Sequence, residues 1–151
     1  MRALVKEDVH QITRFCLAKN EISWTKEALK QAFQHSLEGS YLVKVALDQA
    51  TDQVLGYAIA NYVVDKADVQ NIVVNRLFRG QGIGRELLLE LINDLAKREV
   101  KTVFLEVRPS NHRAVSLYQS MGFKCIQKRR DYYPGVNDVR EDACVFSRAC
   151  L

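Results

Sequence analysis

The chain is expected to form a single α/β domain over residues 1–151, with a mixed, mostly antiparallel central sheet flanked by helices on both faces. Three observations predict this. The N-terminal region carries apolar side chains at helical spacing. Residues 41–74 switch to β-branched and aromatic runs broken by polar turns. Residues 75–92, NRLFRGQGIGRELLLELI, then place a glycine-rich turn directly before a leucine-rich amphipathic stretch.

Taken in order, Val9, Ile12, Phe15 and Cys16 fall on one face of a helix running from Glu7 to Lys19. Thr25 is a suitable N-cap for a second helix, with Leu29, Ala32 and Phe33 on its inner face. Tyr41 to Leu47 and Val54 to Val64 read as two strands of a hairpin joined by DQATDQ, and Val69 to Val74 as a third strand. After the glycines, Ile83, Leu87, Leu91 and Leu95 recur every four residues with Leu88 and Ile92 beside them. Arg85, Glu86, Glu90, Asp94 and Lys97 are expected to face away. Thr102 to Val107 reads as a buried strand. A short helix follows, capped by Ser110 or Asn111 and stopped at Gly122, a residue suited to the left-handed conformation that ends helices. Strands near Phe123–Lys128 and Asp142–Arg148 complete the chain.

Composition excludes several classes. The longest mostly apolar run, VLGYAIANYVV from Val54, is too short to span a bilayer, and the N-terminal residues MRALVKEDVH are broken by charge too early for a signal peptide. A cytoplasmic protein, with no membrane partner, is expected. Cys16, Cys125, Cys144 and Cys150 have no metal-site spacing with one another or with His10, His35 and His112, so free thiols and no metal are expected. The net charge of +4 arises from the last third of the chain, notably KRRDYY at Lys128–Tyr133. That excess suits an anionic ligand, and a solvated basic strand equally well. No basic block is long enough to predict direct nucleic-acid binding.

The glycine stretch is the most informative motif. A P-loop would end in Gly-Lys-Ser/Thr, whereas this one ends in GIGRE. A dinucleotide-binding turn needs a third glycine where Arg85 stands, and it should open a run of βα units. Arg79, Gly82 and Gly84 do satisfy R-x-x-G-x-G. Unpaired amides at a helix start, from Gln81 to Arg85, can receive a pyrophosphate. A sharp strand-to-helix turn would account for the same spacing.

A strand, R-x-x-G-x-G and an amphipathic helix in this order resemble the acetyl-CoA loop of the GNAT acetyltransferase family, and the resemblance runs through most of the chain. FLEVRPSNHRAVSLYQSMGF (Phe104–Phe123), RRDYYP (Arg129–Pro134), REDA (Arg140–Ala143) and Trp24 narrow it to the bacterial branch that acetylates ribosomal-protein N-termini. The resemblance implies a GNAT fold and acetyl-CoA as cosubstrate. It implies as partner the N-terminal alanine peptide of a small-subunit ribosomal protein, acetylated by an enzyme expected to be monomeric. Action on other N-termini or on lysines, or a CoA-binding module without catalysis, are the alternatives. The chemistry favours an α-amine. Its pKa near 8 leaves it neutral at pH 7 roughly a few hundredfold more often than a lysine near 10.4.

For cofactor binding the resemblance implies Ile72, Val73 and Val74 of the valine strand, with the Val74 N–H toward the acetyl oxygen, and Arg79, Gly80, Gln81, Gly82, Ile83, Gly84 and Arg85 at the pyrophosphate. Asn111 is implied at the pantetheine arm, although capping alone would explain it. Glu106, near a strand end, is the candidate general base, its proton affinity raised if the cleft desolvates it; pairing with Arg108 or plain solvation at the strand end is the structural alternative. Tyr118 is implied as the general acid that protonates the leaving thiolate. Trp24, Tyr132 and Tyr133 are implied to line the peptide groove, though aromatic pairs also serve simply as strand packing. No acyl-enzyme is needed, in keeping with cysteines that lack an activating motif.

Overall fold

The computed structural model describes residues 1–16 and 25–150. The expected end of the first helix and Trp24 lie outside the described residues. In chain order the elements are β1 (Arg2–Ala3), α1 (Lys6–Cys16), α2 (Lys26–Glu38), β2 (Tyr41–Leu47), β3 (Val54–Val63), β4 (Lys66–Val74), a 3-10 turn (Arg76–Phe78), α3 (Ile83–Ala96), β5 (Thr102–Val107), α4 (His112–Ser120), β6 (Lys124–Pro134), a second 3-10 turn (Val136–Asp138) and β7 (Arg140–Ala149). One seven-stranded sheet has the order β1-β2-β3-β4-β5-β7-β6. Among the described strands only β4 and β5 are parallel; every other neighbouring pair is antiparallel.

Side-chain alternation along β2 and β3 divides the core in two. Leu42, Ala46, Ala58 and Ala60 pack with Leu87, Leu88, Leu91, Ile92 and Leu95 of α3, as the four-residue leucine rhythm predicted. Val43, Val45, Tyr57 and Ile59 point the other way and pack with Val9 and Ile12 of α1 and with Leu29 and Ala32 of α2. Thr25 caps α2, its hydroxyl accepting the Ala28 N–H at 3.1 Å. Among the described residues no helix is long and apolar enough to cross a membrane. Cys125 is exposed and free, and Cys144 and Cys150 are buried and free.

Several expectations need correction. β4 begins at Lys66, because Ala67 is buried although charges flank it. Asp94 does not simply face away. It pairs with Lys44 of β2 as well as with Lys97. Burial pushes its carboxyl up, and the hydrogen bonds from Lys44 and Lys97 outweigh that and bring it below the usual value. β5 is buried on one face only. Val103, Leu105 and Val107 enter the α3 side of the core, whereas Thr102, Phe104 and Glu106 are half-exposed on the other face. β6 runs on to Pro134, past the expected end near Lys128, so RRDYYP belongs to the strand. Its register slips between Arg129 and Tyr133, which pair with Ala143 and Glu141. Residues 130–132 therefore stand opposite Asp142 alone, in a bulge that charge-rich sequence did not reveal.

One irregularity opens the sheet. In the β3–β4 ladder Ile59 pairs with Asn71 and Ala60 with Val69, leaving Gln70 as an extra residue. Ala67 and Val69 face the α3 side before it; Ile72 and Val74 face that side after it, and Val73 turns to the α1–α2 side. The inserted residue inverts the alternation. Pairing of β4 with β5 ends just there, at Val69–Leu105, so the two strands part ahead of the glycine turn.

Candidate active site

The glycine turn forms for backbone reasons. Gly80 and Gly82 have φ of +80° and +84°, a region that side-chain-bearing residues enter at a cost. Gly82 is the cap of α3 and offers no side chain to the helix start. The first bond closing the helix runs from the Glu86 N–H to the Gly82 carbonyl at 3.1 Å, so the N–H groups of Ile83, Gly84 and Arg85 have no intrahelical acceptor. Asn75 occupies the strand-to-turn corner, its side chain accepting the Leu77 N–H at 3.2 Å. Arg79 Nε–H donates to the Val74 carbonyl at 2.9 Å and so joins the turn to the end of β4.

Arg85 does not aim at the turn as expected. Its Nη1 donates to Ser120 Oγ at 3.0 Å and links α3 to α4. The charge that faces the turn comes from elsewhere: a cleft of about 620 Å³ is lined by Arg76, Arg79, Gly80, Asn111 and Arg113. Arg76 and Arg113 were missed in the sequence. Arg113 carried a signal, since a basic residue in the first turn of a helix opposes the dipole unless an anion sits there. Asn111 lines the same cleft and also caps α4, its Oδ1 accepting the Ala114 N–H at 3.2 Å. Three guanidiniums, free helix-start amides and the parted edge of β4 are the chemistry that a pyrophosphate with a polyamide arm requires. The residues present therefore fit acetyl-CoA.

Glu106 lies on β5 one residue beyond Leu105, where the pairing with β4 stops. Its side chain retains 27% of its exposure, and its Oε1 is 3.0 Å from Arg129 Nη1, not paired with Arg108. Arg108 instead approaches Glu141 at 3.8 Å and stacks 4.6 Å from the centre of the Tyr133 ring. Hydrogen bonds from Ser110 hold the Glu141 carboxyl below the usual range. Tyr132 hydrogen-bonds to Glu106, which holds its phenol proton above the ordinary range. Asp68 of β4, also missed, sits on the same face. Burial first and the field of Glu106 second push its carboxyl up.

Tyr118 packs on α4 with its ring 6.0 Å from that of Phe123. Burial, with a smaller push from Tyr133, raises its phenol to about 12. Tyr133 is raised to about 12 as well, by burial and then by Glu106. Tyr133 thus feels the Glu106 carboxylate and itself acts on the Tyr118 phenol, and it meets Tyr132 edge-on at 4.9 Å. The structure brings Glu106, Tyr118, Tyr132 and Tyr133 into one electrostatic neighbourhood drawn from β5, α4 and β6.

The acetyltransferase (GNAT) family model matches residues 7–123. The [ribosomal protein bS18]-alanine N-acetyltransferase of Escherichia coli K12 is 47% identical over 91 residues, 60% of this chain and 61% of that protein. The chain thus spans about 61% of the length of the E. coli relative it matches. The enzyme of the same name from Haemophilus ducreyi is 32% identical over 147 residues, 97% of each chain. Among solved structures, the ribosomal-protein-S18-alanine N-acetyltransferase from E. coli superposes with a TM-score of 0.86 at 32% identity, covering 99% of this chain and 92% of that one. NAA60 of Arabidopsis thaliana, solved with acetyl-CoA, shares the fold with a TM-score of 0.81 at 19% identity, over 98% of this chain and 96% of that one.

Proposed function

The chain belongs to the acetyltransferase (GNAT) family, and we propose that it moves the acetyl group of acetyl-CoA onto the N-terminal α-amine of an alanine-initiated small-subunit ribosomal protein. The observation that carries the reading is the parting of β4 from β5 beyond Val69–Leu105, with the α3 amides ahead of it and Glu106 at its edge. The acceptor follows from the relatives named for bS18 alanine acetylation, one of them matched along 97% of its length.

Acetyl-CoA, when bound, supplies an activated thioester carbonyl and a thiolate leaving group. The α3 amides and Arg76, Arg79 and Arg113 hold the phosphates, and the freed edge of β4 at Ile72–Val74 orients the arm. Among those backbone groups the Val74 N–H is the donor to the acetyl oxygen. Glu106 accepts the proton that the attacking amine sheds. Tyr118 Oη donates a proton to the sulfur, and its pKa, raised to about 12, keeps it protonated through the range near pH 8 where an α-amine becomes neutral. Tyr132, 42% exposed, and Tyr133 form the wall of the peptide groove.

The test is mass spectrometry of the enzyme with acetyl-CoA and two peptides. One begins with alanine; the other has a blocked N-terminus and an internal lysine. Acetylation of the free alanine is expected, and labelling of the lysine peptide alone would overturn the reading.

A further inference from the structure

Glu106 is held by a partner from two strands away. Arg129 stands on β6, and β7 lies between it and β5. The ladders pair Glu106 with Val145 and Arg129 with Ala143, two positions along one face of β7. Ala143 and Val145 are buried and short, so the arginine stem crosses β7 over them to reach Glu106 Oε1 at 3.0 Å. The guanidinium also lies 5.4 Å from the centre of the Tyr132 ring. The neighbouring bulge is fastened by its own bonds. Asp131 takes a φ of +49°, and its N–H donates to Asp142 Oδ1 at 3.0 Å. Arg140 donates to the carbonyls of Asp131 and Tyr132 at 2.7 and 3.2 Å.

A base beside an amine has a conflict to resolve. A carboxylate close enough to take a proton also stabilises the ammonium, which has no lone pair and cannot attack. We propose that Arg129 is a positioning residue that cancels the field of Glu106 at the acceptor, so that the bound amine stays neutral and nucleophilic. This rests on the acetyl-transfer reading with Glu106 as base.

The other charges around this place lean the wrong way. Asp68 on β4 and Glu141 on β7 add negative charge, and Arg108 on β5 is already engaged with Glu141 and Tyr133. Tyr118 on α4 and Tyr132 and Tyr133 on β6 are neutral below about pH 10. Without Arg129, the three carboxylates lose the cation that pairs directly with Glu106. The gain suffices only for an acceptor whose pKa already lies near neutrality. Lowering an amine's proton affinity by about one unit makes about half of an α-amine neutral at pH 7. A lysine remains neutral in under about 1% of molecules. The same cation therefore serves an N-terminus well and a lysine poorly.

The experiment measures single-turnover rates at saturating alanine-initiated peptide, and kcat/KM, from about pH 6 to pH 10 for the wild type, Arg129→Met and Arg129→Lys. In Arg129→Met the ascending limb of the saturating rate is expected to move alkaline by about one unit, with an approximately fivefold loss near pH 7 that recovers above pH 9. KM should fall in step, because the ammonium form binds more tightly, leaving kcat/KM within about twofold. Arg129→Lys should stay close to wild type. A loss that is uniform across pH, no loss at all, or a limb that moves equally in kcat/KM would overturn the proposal. A wild-type enzyme that labels no α-amine would overturn the acetyl-transfer reading itself; a working wild type with an unshifted Arg129→Met profile would sink only the role of Arg129.

Discussion

Arg79 Nε–H donates to the carbonyl of Val74 at 2.9 Å, so the cation that opens the glycine turn is braced against the last residue of β4. One side chain thus sets the distance between the two surfaces proposed to hold acetyl-CoA, the helix-start amides and the strand edge. Arg79→Ala should weaken acetyl-CoA binding by about tenfold, in keeping with the loss of a charge-assisted hydrogen bond. Titration calorimetry with CoA checks it. Arg79→Lys should rescue only part of the loss, because an ammonium cannot reproduce the fixed Nε–H geometry.

Gly82 and Gly84 should behave differently although both belong to the motif. Gly82 has a φ of +84°, with open space where a side chain would project. Gly82→Val should therefore cost about 1–2 kcal/mol of stability through backbone strain, together with affinity for CoA. Gly84 lies inside α3, and an added Cβ would stand 3.6 Å from Val74 and 3.8 Å from Leu117, which is ordinary contact. Gly84→Ala should leave stability unchanged or raise it by roughly 0.5 kcal/mol. It should still weaken CoA binding, since its methyl group blocks the approach to the amides. Thermal melts with and without CoA separate the two effects.

Glu106→Gln removes the proposed proton acceptor and keeps the shape. The single-turnover rate should fall by about 10²–10⁴-fold while CoA affinity changes little. Tyr118→Phe should slow thiol release under the same conditions, again with CoA still bound. Unchanged turnover in both variants would remove these residues from the mechanism.

The phenols give a prediction at alkaline pH. Tyr118 and Tyr133 are both pushed to about 12 in the folded chain, chiefly by burial, against about 10 when unfolded. Below pH 10 both states keep the protons, and the contribution of these groups to stability is complete. As pH rises from 10 toward 12 the unfolded chain ionises first, so stability falls through that window. Denaturant melts near pH 9 and pH 11.5 should show the decline, and Tyr118→Phe should make it shallower. The activity profile should show no descending limb from Tyr118 below about pH 11.

Features that depend on neighbours in sequence were readable in advance. The α3 leucines, the Thr25 and Asn111 caps, and the turn glycines Gly80 and Gly82 each answer a local requirement of period, orphan amide or positive φ. Glu106 was likewise placed near the end of its strand. Its partner was not readable, because Arg129 reaches it across an intervening strand in a register that the charged run RRDYYP does not encode by alternation. Arg76 and Arg113 escaped for a related reason. They meet Arg79 only once the 3-10 turn and α4 converge on one cleft.

Taken alone, the sequence determined where the main helices and strands fall, where the glycine turn lies, and which residues are candidates to take or donate a proton. Those follow from short-range sterics and hydrogen bonding, which act within a few residues. Tertiary structure decided which way the strands face and where they separate. The extra residue Gln70 inverts β4 and coincides with its departure from β5, and the slip at residues 130–132 sets Tyr132 beside Glu106 and Arg129. The side-chain period of a strand is two, so a single inserted residue exchanges its faces; only the pairing partner shows where that insertion falls.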